Sequence, residues 1–418
     1  MAMGMSKNAA TEWRNFWLLP FAAALGYSTS VIHVYSMGFF IEPLQQAFGW
    51  SRGQISFGLT IASFISAIFC VPVGILVDRI GPRRVGLIGV LLMSGAFALL
   101  GTMTGTTANW VALWVIVALG TLWVQATVWT SAVASRFEAS RGLAFAITLS
   151  GAALSAAVAP VLAAWLIGGY GWRTAFVAMG GIWAALVFPF LLLCFRGAHD
   201  GGASRHATTT SPVKVLKGVT LWQGLRSPTL YKLLLASGLF SFTAIGAVVH
   251  FVPILTDSGA TPLAAAGVAA LVGVFSIFGR LGTGFLLDRF PGHIVGALAF
   301  MLPIVSALLL LFDGANPLSQ AVAAAALGLT VGSEVDVIAF LAAKHFGLRS
   351  FGALYGALVM ALSLGTAFGP LAAGTVFDRF DSYAPFLMLA IVLMGVSATA
   401  LLSLGAAPET LETAAPSR

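Results

Sequence analysis

Twelve runs of apolar residues, most of them 20 or more long, are separated by short breaks that carry nearly all the charge. They lie near 16–40, 54–77, 85–104, 108–134, 142–168, 174–195, 231–255, 262–287, 293–312, 318–343, 350–374 and 384–405. About 20 such residues in a helix cross a hydrocarbon core roughly 30 Å thick. Within that core the backbone finds no water to bond, so each run must satisfy its own amides as a helix. A membrane β-barrel would instead show alternating strands of about ten residues. Composition agrees: 59% of the 418 residues are hydrophobic and 8% charged, against about a quarter charged in soluble domains. The 47 glycines suit helices that pack backbone to backbone. The expected fold is an all-α membrane protein of twelve transmembrane helices.

Cys70 and Cys194 both fall inside apolar runs, which argues against a disulfide framework. Residues 1–14 are short and polar, and the first apolar run is too long for a cleavable signal, so none is expected.

Lysine and arginine set the expected orientation. If the termini and even-numbered connections share one side, that side holds 17 of the 21 basic residues. The other side holds Arg52, Arg173 and Arg379, and Arg280 lies within a run. The positive-inside rule then makes the first side cytoplasmic, with both termini there and the chain in the cell inner (plasma) membrane. The net charge of +7 is thus a topology signal, and nucleic acid is not an expected partner.

The longest hydrophilic stretch divides the chain into 1–195, a central cytoplasmic loop at 196–229, and 230–418. The halves match at a constant offset of 210: Gly74 with Gly284, Asp78 with Asp288, Arg79 with Arg289, Gly142 with Gly352, Pro160 with Pro370, and Phe176 with Phe386. Six helices per repeat preserve orientation, so the expectation is two pseudo-symmetric six-helix bundles. Folds built this way bind substrate between the halves and expose it alternately.

Ionisable groups inside spans are costly and mark pathways. Arg280 lies about two-thirds along the eighth span, and its repeat mate is Cys70. Ser276 and the small residues Gly273 and Gly284 share its helix face, leaving room for a ligand. A guanidinium fork fits a carboxylate bidentately and stays charged. Glu334 and Asp336 in the tenth span are candidates both for neutralising Arg280 and for carrying a coupled proton, Glu334 being the first choice for the proton. Two residues apart, they point about 200° apart on a helix. His33 and His250 are further titratable candidates. Gln125, Tyr35 and Tyr355 could line a cavity, as could Tyr27.

The second connection reads Gly74-Ile-Leu-Val-Asp78-Arg79-Ile-Gly81-Pro-Arg83-Arg84, with a weaker copy in Gly284-Phe-Leu-Leu-Asp288-Arg289. This resembles the signature of the major facilitator superfamily, G-x-x-x-D-R-x-G-x-R-R, and the twelve-span, two-half layout extends the resemblance over the chain. The resemblance implies a cytoplasmic gate: glycine lets helices approach, and Asp78 accepts charge-assisted bonds from Arg or a helix N-terminus. Gly49-Trp50-Ser51-Arg52, the run Arg136 to Ala144, and Gly332-Ser333-Glu334-Val335-Asp336 resemble the monocarboxylate and oxalate–formate branch. So do Phe346-Gly347-Leu348-Arg349 and Gly352-Ala353-Leu354-Tyr355-Gly356. That branch binds substrate carboxylate through an arginine in helix 8, a role the resemblance implies for Arg280.

Departures narrow the expectation. Animal members carry an aspartate where Ser276 stands and a helix 1 lysine where Val34 stands, beside His33. Residues 350–374 hold no second cation of the kind oxalate exchangers use, which favours a monocarboxylate. The expected function is secondary transport of a small monocarboxylate, coupled to protons, by a chain for which a monomer suffices. Efflux of drugs or hydrophobic compounds by proton antiport needs acids and aromatics but not Arg280. A transporter-like sensor would bind without moving its ligand. No metal cluster, nucleophile triad or nucleotide loop can be read from the sequence, so no enzyme activity, metal or cofactor is expected.

Overall fold

The computed structural model describes residues 7–197, 218–347 and 349–406, except the side chains of Lys7, Asn8, Cys70, Val71, Gly74, Ile75 and Asp78. Within that range the chain is helical nearly throughout. An amphipathic α1 (Lys7–Phe16) precedes the first span, α2 (Leu18–Phe48). The following spans are α3 (Arg52–Ile80) and α4 (Pro82–Leu99), then α5 (Thr107–Leu122) with α6 (Ala126–Ala134). Next come α7 (Arg141–Leu149) and the 44-residue α8 (Gly151–Cys194). A short α9 (Leu221–Arg226) leads into α10 (Pro228–Asp257), α11 (Pro262–Leu287), α12 (Gly292–Asp313), α13 (Pro317–Phe346), α14 (Phe351–Phe380) and α15 (Ala384–Leu402).

Eleven stretches among the described residues are long and apolar enough to cross a membrane, and one of them, Arg141–Cys194, has 54 residues. That length is about two crossings. Gly171, at φ 77°, turns the chain inside α8 and separates the fifth span from the sixth. The total is therefore twelve.

Local chemistry sets the turns. Gly49 closes α2 in the left-handed conformation, and Ser51 opens α3 with a reciprocal capping box to Gln54. The segment Gly49 to Arg52 is thus a helix stop followed at once by a helix start. Trp50 seals it against Phe48 and Trp110.

The repeat at 210 residues persists in the backbone. Gly49 and Gly259 both take positive φ, as do Gly171 and Asp381. Pro43 and Pro253 lie inside α2 and α10, and Pro160 and Pro370 lie inside α8 and α14. The aromatic partners differ between the halves: Phe40 stacks on Phe176 at 3.7 Å, whereas Phe386, the repeat mate of Phe176, is approached by Phe242. The fold is two pseudo-symmetric six-helix bundles.

Contacts divide the chain into two compact units. The first comprises Met1–Ala207 with Thr261–Val274, and the second Thr208–Ala260 with Phe275–Arg418. In the first, α2 and α4 pack on α8, and α3 packs on α5. In the second, α10 packs on α14, and α12 lies against α13 and α15. Bulky apolar residues are turned outward along the spans, among them Phe312, Leu193, Leu186 and Leu298. That is the surface a hydrocarbon solvent rewards.

Candidate functional site

A glycine notch joins α11 to α13 within the second unit. A Cβ at Gly279 of α11 would run into the Leu329 carbonyl of α13, and one at Gly332 would run into the carbonyl of Ser276. The two backbones therefore touch, as small residues at a membrane helix crossing permit. Thr283 donates to the Ser333 hydroxyl at 2.6 Å, and Ser333 donates to the Leu329 carbonyl at 2.6 Å. Arg280 is thereby held beside the residues that follow Gly332.

The Arg280 guanidinium donates from one nitrogen to Asp336 Oδ1 at 3.4 Å, the two side chains being 11% and 31% exposed. Charge-assisted bonds of this kind are usually 2.7–2.9 Å, so this is a loose, single-point pair. An arginine has five N–H donors, and among the described residues Asp336 alone bonds this one. Glu334 is buried, 7% exposed, and feels the charge of Arg280 as Asp336 does. Ser276 is also buried, one turn before Arg280. Four of the sequence candidates thus converge on one helix crossing. Gly273 departs from the expectation of open space: it packs against the backbone of Ala153 and Ala157 within the first unit.

The other candidates lie elsewhere. His250 is fully buried, with Nδ1 at 2.7 Å from the Tyr383 hydroxyl and Nε2 at 2.9 Å from the Pro370 carbonyl. Nε2 donates to that carbonyl, which in a singly protonated ring leaves Nδ1 to accept from the Tyr383 hydroxyl, and the ring ties α10 to α14 and the start of α15. Tyr355 stacks on Phe351 at 5.2 Å. In the first unit, His33 is 4% exposed and meets Trp114 edge-on at 6.0 Å. Among the described residues its Nδ1 has no hydrogen-bond partner, and neither has Thr29 Oγ1 one turn earlier. Tyr35 is half-buried.

Gln125 marks a feature the sequence reading did not foresee. The fourth span, expected to run unbroken over 108–134, is interrupted between Leu122 and Ala126, with Gln125 extended at φ −62° and ψ 159°. Trp129 donates its indole N–H to the Val124 carbonyl at 2.9 Å, answering a group the break leaves open. Its ring leaves no space for a Cβ at Gly26. No glycine or proline stands at 123–125 to announce the break. At an offset of 210 the break corresponds to 333–335, where the tenth span stays intact and carries Glu334.

At the ends of the spans, Gly81 takes φ 93° to close α3, and Arg83 donates to the Leu192 carbonyl at 2.8 Å near the end of α8. Arg79 and Arg84 are exposed. The side chains of Gly74 and Asp78 lie outside the described residues. In the second copy, Asp288 is exposed, Arg289 covers the Phe285 ring at 3.8 Å, and a Cβ at Gly284 would meet nothing. The structure adds Glu12 of α1, whose carboxylate accepts from the amides of Glu138, Ala139 and Ser140 and from the Ser140 hydroxyl, all at 2.8–3.1 Å. These donors, the Ala139 amide foremost, hold its carboxyl down at about 2.

The sequence profile of the Major Facilitator Superfamily matches residues 17–370. The chain belongs to that superfamily. As such a transporter it resembles an uncharacterized MFS-type transporter, YcxA, of Bacillus subtilis, 24% identical over 87% of this chain and 88% of that one. It also resembles monocarboxylate transporter 13 of Bos taurus, 25% identical over 85% and 81%. A third relative is a chloramphenicol resistance protein of Streptomyces lividans, 29% identical over 80% and 84%. Among solved structures, a bacterial homologue of the human lysosomal transporter Spinster superposes with a TM-score of 0.69, covering 92% of this chain and 97% of that one at 19% identity. That likeness speaks to the fold of this superfamily member. The transporter reading itself rests on the profile match and the relatives.

Proposed function

We propose that this superfamily member is a secondary active transporter for a small monocarboxylate, coupled to protons, in the cell inner membrane with both termini cytoplasmic. The observation that carries the reading is the loose pairing of Arg280 with Asp336. A permanent cation sits about 10 Å from the end of α11, too deep to serve as a surface anchor. It is 11% exposed, and its described partner bonds one nitrogen of the fork. A substrate carboxylate is the anion such a fork accepts best. Asp336 and Glu334 sit within the field of Arg280, so a proton on either changes how firmly the arginine is held. The relation to monocarboxylate transporter 13 supports the same substrate class.

The Streptomyces relative favours a second reading, export of an uncharged or aromatic compound against protons, in which Arg280 has no substrate to bind. Purified protein in liposomes loaded with a pH-sensitive dye separates the two when a panel of carboxylic acids is added outside. Protein-dependent acidification by monocarboxylates that disappears in Arg280→Ala supports the proposal. Transport untouched by Arg280→Ala overturns the site and favours export.

A further inference from the structure

The helix crossing that presents Arg280 on one side carries a groove on another. It has a volume of about 500 Å³ and lies wholly within the second unit, among α11, α12 and α13. Phe278, Leu286, Phe290, Ile294 and Leu298 form its exposed apolar walls. Thr283 and Ser333 line it as well, but the Thr283 proton goes to Ser333 and the Ser333 proton to the Leu329 carbonyl. These hydroxyls have no proton left to offer, and the exposed walls along this length are apolar, which suits an apolar occupant. Gly282 lies in the groove, and a Cβ there would meet nothing. No neighbouring helix requires the small residue, so the space is open to a molecule that is not part of the chain.

One end of the groove is charged. Phe290 and Pro291 line the groove where α11 gives way to α12, and Arg289 directly precedes them. His293 follows at the start of α12, close enough to His345 to act on it electrostatically. A Cβ at Gly292 would meet the Phe340 ring, over which Lys344 places its ammonium at 5.8 Å. Asp288 is the acid that adjoins this rim. From Arg289 to Phe278 is eleven residues of chain, about 16 Å along a helix. That is half of a hydrocarbon core about 30 Å thick, or one leaflet.

We propose that this groove binds one anionic phospholipid, its acyl chain along Phe278 to Leu298 and its phosphate at Arg289, with Lys344 adding positive charge. Such a lipid would brace the back of the crossing that positions Arg280 and Asp336. The inference requires only a membrane-spanning chain and does not depend on the transported substrate.

Native mass spectrometry of the full-length protein in neutral detergent tests it, with added phosphatidylglycerol compared against phosphatidylcholine of the same acyl chains. The wild type should retain one phosphatidylglycerol in preference to phosphatidylcholine. Arg289→Gln, at an exposed position, should weaken retention about fivefold. Gly282→Leu, which has open space for its side chain, should weaken it at least about tenfold by filling the groove. Leu186→Trp, on the lipid-facing surface of the sixth span, should leave retention unchanged. Equal retention of the two lipids, or wild-type retention by both groove variants, overturns the proposal. So does a dimer that Gly282→Leu dissociates, because the groove would then be a protein interface.

Discussion

Arg280 and Asp336 meet at 3.4 Å because Gly279 and Gly332 bring their helices into backbone contact. A pair that is mostly buried and bonded at one point sits between two better-defined alternatives. It can tighten into a bidentate ion pair, or it can open and give the fork to another anion. A transporter that loads and releases a carboxylate needs both.

Arg280→Ala should abolish carboxylate uptake, and Arg280→Lys should keep the charge yet bind substrate about tenfold or more weakly, since an ammonium cannot bond both oxygens in parallel. Labelled-substrate uptake into liposomes, read as KM and maximal rate, checks this. Glu334→Gln should preserve exchange of labelled for unlabelled substrate while abolishing uptake driven by a pH gradient. Equal loss of both activities would assign Glu334 to the structure of the crossing.

The crossing itself should be sensitive to one carbon atom. Gly332→Ala drives a Cβ into the Ser276 carbonyl and should cost about 1–3 kcal/mol through overpacking. Gly284→Ala, where the added carbon meets nothing, should be neutral or slightly stabilising. Melting midpoints of the purified variants in one detergent decide the comparison.

His250 should prove a structural tie. Tyr383→Phe removes the hydroxyl that Nδ1 accepts from and leaves a buried ring nitrogen wanting, at about 1–3 kcal/mol. The melting midpoint should fall while the substrate KM of the folded fraction stays at the wild-type value. A raised KM at unchanged stability would place His250 in the transport path.

Docking of α1 should depend on pH. The Glu12 carboxyl is held at about 2 when docked, below its ordinary 4.5. A depressed carboxylate stabilises the docked form above its undocked value, and that contribution is lost as pH falls through the docked one. Hydrogen exchange of the Ala139 and Ser140 amides should therefore be slow and constant above about pH 4.5 and, after correction for intrinsic rates, quicken as pH falls toward 2. Glu12→Gln should show the faster exchange at neutral pH.

Much of this was legible in the chain before any coordinates. The twelve spans were, because hydrocarbon obliges each apolar run to bond its own backbone, and length then stands in for structure. Arg280 announced itself for the same reason, as a cation where none is cheap. The repeat at 210 residues reappeared in Gly49 with Gly259 and in Gly171 with Asp381, positions where a turn demands positive φ. The break at Gln125 was not legible. Its freed carbonyl is answered by the indole of Trp129, and that ring is set in place against Gly26 from another helix.

The choice between Glu334 and Asp336 also lay beyond the sequence. Periodicity put them on different faces of one helix, but which face meets Arg280 depends on how α13 is rotated against α11, and Gly279 and Gly332 set that rotation through contact. His250 looked the same in sequence as His33; its partners stand 120 and 133 residues away. Glu12 reaches Ser140 across 128 residues. Hydropathy and charge along the chain determined what crosses the membrane and where a buried cation lies, since each of those is a transfer between a segment and its solvent. Packing between distant segments decided which acid bonds the cation, which partners each histidine meets, and where a span breaks.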